Sequence, residues 1–344
     1  MIFFKNDYSE GALPEVLDAL QKTNLVPTAG YGLDPFCEEA AEKLKNRFAC
    51  PEADVHFLVG GTQANFTCIS AFLRPWEAVI AASTGHIACH ETGAVEARGH
   101  KVCTAYAEDG KLTPELVRAV FAENQTWNLE HMVYPKMVYI SNSTELGTIY
   151  SKAELTALRE VCDELGLYLY LDGARLASAL TCAENDLVPE DLPKLCDAFY
   201  VGGTKNGLLF GEAVVLVNDA LKPYFRNVIK QCGGMLSKGR LLGVQFGVYF
   251  ENDLWLESAR HANHMVALLK NGIAEKGYRF LADSPTNQVF PIFPDALVEK
   301  LAEDYAFEYQ AVLPGGETSI RLVTSWATRE EDVQTFLNAL PQNN

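Results

Sequence analysis

Short apolar runs punctuate the middle of the chain at residues 57–59, 78–82, 101–106, 137–141, 167–172, 198–202 and 213–217. They are too short for typical helices, and several are rich in β-branched and aromatic residues, as buried strands are. Helical patterns lie between several of them. Thr113-Pro114-Glu115 offers an N-cap with proline at the first helical position. Ser151 and Glu154 form a capping-box pattern, followed by Leu155, Leu158, Val161, Cys162 and Leu165 at helical spacing, and Gly166 stops that helix. Strand–helix–strand alternation predicts an α/β fold, a mostly parallel sheet covered by helices.

From about residue 235 the pattern changes. A long helical run passes through Leu242, Phe246, Tyr249 and Trp255 to Leu269, ending near Gly272. Short strands are expected at 278–281, 288–292 and 319–323, with a helix over 295–302 between the last two. This predicts a smaller C-terminal α+β domain. The expected division is 1–245 and 246–344, with the boundary between 235 and 260.

The chain has 344 residues, 28 Lys+Arg against 45 Asp+Glu, and a formal net charge of −17. Such acidity argues against nucleic acid and anionic membranes as partners, since both are bound largely through Lys and Arg. The nine cysteines are scattered and contain no C-x-x-C pair, as in a reduced cytoplasmic protein. The start, MIFFKNDYSEG, lacks the long apolar core of a signal peptide, and no apolar run reaches the ~18 residues of a membrane span.

Four features carry candidate chemistry. Asp172, in Leu171-Asp172-Gly173-Ala174-Arg175, ends a strand and so faces a site at the carboxyl edge of the sheet; the same residue would equally cap the next helix. Lys205, in Gly202-Gly203-Thr204-Lys205-Asn206-Gly207, follows another strand. It suits a Schiff-base lysine if partly desolvated, or a solvated loop lysine if not. Gly60-Gly61-Thr62-Gln63 joins a strand to a helix, where free N–H groups can cradle an anion or the glycines can merely turn the chain. His86 and His90 stand at i,i+4 with Cys89 beside them, which raises a metal site, but further ligands are not evident. Jointly these are the parts for pyridoxal 5'-phosphate: a phosphate cradle, an acid for the ring nitrogen, an amine, and a histidine to cover the ring.

The ordered motifs FKNDYSEGA, AGYGLDP, GGTQAN, TGHIACHETGA, NSTELGTIY, LDGARL, GGTKNG and IRLVTSW resemble those of the low-specificity L-threonine aldolases, in the β-eliminating lyase group of fold-type-I pyridoxal-phosphate enzymes. The resemblance runs from residue 4 to about 328. It implies the aspartate aminotransferase-like fold, with a seven-stranded sheet and a smaller C-terminal domain. It also implies a homotetramer with sites at dimer interfaces. By the match, Lys205 binds the cofactor aldehyde and Asp172 faces the ring nitrogen. Arg175 neighbours the phenolic oxygen, His86 stacks on the ring, and Gly61, Thr62, Gln63 and Thr204 surround the cofactor. Arg321 takes the substrate carboxylate by its two-pronged fork. Asn6 and Arg175 join the substrate site, and Tyr31 and Asp34 approach from the partner subunit.

Two departures stand out. Asn6 replaces a common serine near the substrate carboxylate, and Glu145 occupies the position of a histidine near the substrate β-hydroxyl. The implied reaction cleaves β-hydroxy-α-amino acids to glycine and an aldehyde, with His86 or Glu145 as base. The rivals are a β-eliminating lyase or phenylserine-type aldolase, a metal-dependent hydrolase on His86 and His90, and a non-catalytic scaffold.

Overall fold

All seven apolar runs of the large unit enter one sheet, with ends moved by a few residues. In chain order they are β1 (Asp54–Leu58), β2 (Glu77–Ala82), β3 (Val102–Ala105), β4 (Tyr134–Ser141), β5 (Tyr168–Asp172), β6 (Ala198–Gly202) and β7 (Glu212–Leu216). The computed structural model describes residues 1–126 and 128–343; Asn344, the last residue of the expected second domain, lies outside the described residues. The strand order is β1-β7-β6-β5-β4-β2-β3. β7 runs antiparallel to both neighbours, and the other pairs are parallel.

This order has a switch point. The chain leaves β2 toward the edge strand β3, then returns to lay β4 on the other side of β2. Open α/β sheets bind ligands at the carboxyl ends of strands beside such a point. His86 follows β2, Glu145 follows β4, Asp172 ends β5 and Lys205 follows β6.

Alternation along the strands builds two cores. Ile80, Val138, Leu169, Leu171 and Phe199 pack on one face. Val79, Met137, Tyr139, Tyr170 and Tyr200 pack on the other. Each large apolar side chain so buried contributes about 1.5–3 kcal/mol. The helices close as their signals require. Thr113 Oγ1 accepts from Leu116 N at the start of Pro114–Glu123. Ser151 and Glu154 complete a capping box on Lys152–Leu165, and Gly166 ends that helix at φ 66°.

The second unit departs from expectation in four ways. The single long helix is two, Arg240–Tyr249 and Leu254–Glu275, and Gly272 lies inside the second against Leu337. Asn252 and Asp253 break it at φ 53° and 57°, a conformation that short polar side chains tolerate. The reversal inserts Trp255, fully buried, beside Phe48, Tyr249 and Phe250. The run 288–292 splits into β8 (Gln288–Val289) and β9 (Ile292–Pro294), because Pro291 between them has no N–H for a ladder. The expected strand at 278–281 is reduced to a bridge between Phe280 and Pro291.

Central strand β11 (Glu317–Val323) pairs antiparallel with β8, β9 and a strand the apolar pattern did not reveal, β10 (Glu308–Leu313). The polar exposed face of β10 hid it. Ile2–Phe3 pairs with Tyr305–Ala306, and Val323 N donates to Phe4 O at 2.8 Å. The N-terminal segment is thereby sewn to the small sheet before it reaches the large one. No helix among the described residues is long and apolar enough to cross a membrane.

Two glycines lock the site motifs together. Gly202 N donates to Gly173 O at 2.9 Å. A Cβ on Gly173 would overlap the Tyr200 carbonyl, and one on Gly202 would overlap Ala174. Gly173→Ala therefore lowers unfolding free energy by about 1–3 kcal/mol through overpacking. Gly247→Ala, at a helical glycine with nothing within 4 Å of its Cβ direction, is neutral or mildly stabilising. Denaturant titration of both variants checks the contrast.

Candidate active site

Asp172 lies at the end of β5 in register with Ser141 of β4, and its side chain shares the face of Tyr170 two residues earlier. Tyr139 of β4 donates to Asp172 Oδ2 at 2.6 Å, Tyr200 of β6 donates to Oδ1, and Ala174 N donates to Oδ1 at 3.0 Å. Asn65, on the helix Gly61–Phe72, donates to Oδ2 at 2.9 Å. The carboxylate is 3% exposed. Burial works to raise its pKa, but the charge of His86 and the hydrogen bonds from Tyr139, Tyr200 and Asn65 hold it below the ordinary value. The same burial pushes the tyrosine hydroxyls up, so they remain donors.

Asn65 extends this network. Its Nδ2 also meets Glu91 Oε1 at 2.8 Å, and its Oδ1 accepts from Tyr170 at 3.2 Å. Glu91 in turn holds His86 Nδ1 at 2.7 Å. His86 is thus tied to Asp172 through one glutamate and one amide. Its backbone N–H donates to Glu145 Oε1 at 2.9 Å, and Ser141 Oγ donates to the same oxygen at 2.8 Å. Burial raises the Glu145 pKa despite these donors, and the nearby Asp172 charge adds to the rise.

Lys205 sits in the turn after β6. Burial first, and then the charge of Arg175, lower its pKa, so the amine is more readily free than a solvated lysine's. Arg175 grips Asp7 with both prongs, Nε to Oδ2 at 2.7 Å and Nη2 to Oδ1 at 3.0 Å, and Asn287 donates to the same carboxylate at 2.9 Å. Asp7 is fully enclosed; burial alone would raise its pKa, but Arg175, Lys205 and Asn287 hold it low.

These residues surround two adjoining chambers. One, about 280 Å³, is lined by Gly60, Gly61, Thr62, Asp172, Thr204 and Glu212. The other, about 610 Å³, reaches Arg321, His90 and Tyr309. Tyr8, His86, Glu145, Arg175 and Lys205 line both. Arg321 projects from β11 with its Nε buried and unpartnered, and burial with the neighbouring Arg175 lowers its pKa. His86 and His90 have ring centroids 5.7 Å apart. Among the described residues no three of His, Cys, Asp and Glu come together to hold a metal.

Some expected side chains are engaged outside the cradle or lie in another cavity. The Gln63 side chain clasps the Val59 N–H and the Cys232 carbonyl, leaving only its backbone N–H at the helix start. The Thr204 hydroxyl donates to Glu212 Oε1 and accepts from Gly211 N, each at 2.9 Å. Asn6 closes its own turn, accepting from Tyr8 N and Ser9 Oγ, while its neighbours Asp7 and Tyr8 reach the site. Tyr31 and Asp34 line a separate cavity of about 400 Å³ with Arg226 and Met235. The motifs do not mark Asp7, Asn65, Glu91, Tyr139, Tyr200 and Glu212 as site residues. Glu212 alone had a clear signal, a lone acid at the start of the apolar run GEAVVLV.

The residues fit pyridoxal phosphate. A Cβ on Gly61 would stand 3.0 Å from the Tyr200 hydroxyl, so glycine keeps the cradle open at the helix start. A buried anionic carboxylate and an enclosed amine face the same chamber. Comparison with known proteins agrees. Residues 8–295 match the beta-eliminating lyase model. The chain belongs to the beta-eliminating lyase family.

Within that family it groups with the pyridoxal-phosphate-dependent threonine aldolases. The low-specificity L-threonine aldolase of a Pseudomonas species is 34% identical over 336 residues, covering 96% of this chain and 94% of that one. The counterpart from Pseudomonas aeruginosa is 33% identical over 337 residues, with 96% and 94% covered. The structure of Leishmania major threonine aldolase superposes with a TM-score of 0.96 at 48% identity, covering 98% of each chain. Thermus thermophilus aspartate aminotransferase, at 20% identity, TM-score 0.72 and 98% and 90% coverage, shares the fold.

The Asp7–Arg175 pair yields a pH-dependent prediction. Asp7→Asn leaves Arg175 buried without its counter-ion and costs about 3–5 kcal/mol at neutral pH. Because the folded pKa of Asp7 is depressed, its contribution is full above the unfolded value near 3.9 and fades as pH falls through the folded value. Denaturant titrations at descending pH show the gap between wild type and variant closing only at the acid end.

Proposed function

We propose that this enzyme cleaves L-threonine, L-allo-threonine and related β-hydroxy-α-amino acids to glycine and an aldehyde. The carrying observation is the shared wall of the two chambers: Lys205, His86 and Glu145 line both the side holding the glycine cradle and Asp172 and the side holding Arg321. Lys205 would hold the cofactor through Nζ. Asp172, kept anionic by its four donors, would keep a proton on the ring nitrogen. Gly61, Thr62 and the Gln63 backbone N–H would receive the phosphate. His86, braced by Glu91, would cover the ring. Arg175 would neighbour the phenolic oxygen, and Arg321 would receive the substrate carboxylate.

Glu145 is the base. A carboxylate with a raised pKa is a stronger proton acceptor near neutrality than a solvated one. It withdraws the β-hydroxyl proton, the oxygen closes the aldehyde carbonyl, and the Cα–Cβ bond breaks. When bound, pyridoxal phosphate would supply a protonated ring as the sink for the electron pair left on Cα. His86 keeps Glu145 in place through its backbone N–H, while its ring nitrogen is engaged by Glu91.

The active assembly is a homotetramer, a pair of dimers, in the cytoplasm. Tyr31 and Asp34 then serve the neighbouring subunit's site. Leu25, Tyr31 and Leu33 are exposed on the segment that Arg226 and Arg240 anchor through the Tyr31 and Val26 carbonyls, an apolar face suited to a second copy. All nine cysteines are free, in keeping with a reducing compartment. The division into 1–245 and 246–344, with its boundary within 235–260, is supported by the break in the helical run at Asn252 and Asp253.

Glycine release from L-threonine and L-allo-threonine, with stoichiometric acetaldehyde, is the expected result of an assay with added pyridoxal phosphate. Release of ammonia and a keto acid instead would make the enzyme an eliminating lyase. Borohydride reduction followed by peptide mapping places the cofactor on Lys205. Glu145→Gln impairs aldehyde release far more than it impairs glycine binding, because glycine has no β-hydroxyl. Equal losses in the two measurements would remove Glu145 from the chemistry. Arg321→Lys raises KM for amino-acid substrates by about 5- to 150-fold, through loss of a charged, two-pronged contact worth roughly 1–3 kcal/mol.

A further inference from the structure

Glu212 is a buried acid that the reaction above does not use. It opens β7, in register with Leu58 of β1 on one side and Gly202 of β6 on the other. Leu58 is followed by Val59, Gly60 and Gly61, and Gly202 by Gly203, Thr204 and Lys205. The sheet therefore sets Glu212 between the anion cradle and the lysine turn. It is 4% exposed, and its Oε1 accepts from Thr204 Oγ1 at 2.9 Å. Its Oε2 is buried with no hydrogen-bond partner, in a residue that lines the same chamber as Gly60, Gly61 and Thr62.

An ionised carboxylate there would oppose the anion that the free N–H groups of the helix start attract. A protonated one has an O–H to give and satisfies its own orphaned oxygen. We propose that Glu212 is a protonated acid that donates a hydrogen bond from Oε2 to the phosphate of the cofactor. This rests on the pyridoxal-phosphate reading of the site.

The surroundings favour the neutral form. Burial raises the Glu212 pKa to about 8, against the lowering by the Thr204 hydrogen bond and the charge of Lys205; Asp172 pushes it further up. The other titratable groups facing it are the hydroxyls of Tyr200 and Tyr249, both raised by burial and so neutral through this range. A phosphate ester has its second ionisation near 6, so the phosphate's own charge is nearly constant from pH 7 to 9. The pyridine nitrogen sheds its proton over the same interval in the ester and in pyridoxine alike, so the difference between the two ligands reports the contact to the phosphate.

The test titrates the cofactor-free enzyme with pyridoxine 5'-phosphate, which has no aldehyde for Lys205, and with pyridoxine, which has no phosphate. Relative to pyridoxine, wild type should bind the phosphate ester about tenfold more weakly at pH 9 than at pH 7, the ratio of the two affinities following one proton with a midpoint near 8. Glu212→Gln, whose amide donates at every pH, should keep that ratio constant. Equal trends for ester and pyridoxine in wild type, a comparison that needs no variant, would overturn the proposal. So would a Glu212→Gln profile that falls as wild type does. A wild-type enzyme that develops no visible absorbance with pyridoxal phosphate would defeat the cofactor reading itself; normal colour with a Glu212-independent pH profile would defeat only this proposal.

Discussion

Burying the carboxylate of Asp172 in an ionised state is the demand around which the large unit is organised. An isolated carboxylate in an apolar interior is costly enough that it normally takes up a proton instead. Here two tyrosine hydroxyls, one amide and one backbone N–H supply donors to its two oxygens. The donors come from β4, β6, the helix Gly61–Phe72 and the turn after β5, so the anion is stable only when those elements are assembled. Removing any one donor leaves part of that charge unsatisfied in a site where Asp172 is 3% exposed.

The same network reaches the catalytic edge. Asn65 shares its amide nitrogen between Asp172 and Glu91, Glu91 holds the His86 ring, and the His86 backbone holds Glu145. The groups proposed to protonate the ring, cover it and accept the substrate proton therefore sit in one hydrogen-bonded sequence rather than on independent loops. Rigid placement of this kind lowers the reorganisation needed when charge moves. On the side of the larger chamber the logic is reversed. Arg175 is neutralised by Asp7 within the fold, while Arg321 keeps a buried Nε without a partner and so retains capacity for an external carboxylate.

The N-terminal segment joins the two halves of this arrangement. Its first residues pair with the small sheet, and Asp7 then clamps Arg175 of the large unit and Asn287 of the small one. The small sheet, which carries Arg321, is thereby tied to the Arg175 guanidinium. The family resemblance points to Asn6, yet the adjacent Asp7 makes the buried contacts.

Local chemistry makes much of this legible in the sequence alone. Seven short apolar runs, a capping box at Ser151, a stop at Gly166, and polar groups at strand ends announce an α/β sheet with its site at one edge. Ordered motifs supply Lys205, Asp172, His86 and Arg321, because each lies in a stretch whose glycines and hydroxyls are themselves diagnostic. What the chain order does not convey is convergence. Tyr139 and Tyr200 look like ordinary core aromatics until neighbouring strands in register aim their hydroxyls at one carboxylate. Asn65, Glu91 and Asp7 gain their roles from partners up to 280 residues away. The break at Asn252, the polar strand Glu308–Leu313 and the placement of Glu212 between cradle and lysine follow from packing and pairing. Periodicity reports which face of an element is buried; only the assembled fold decides what that face meets.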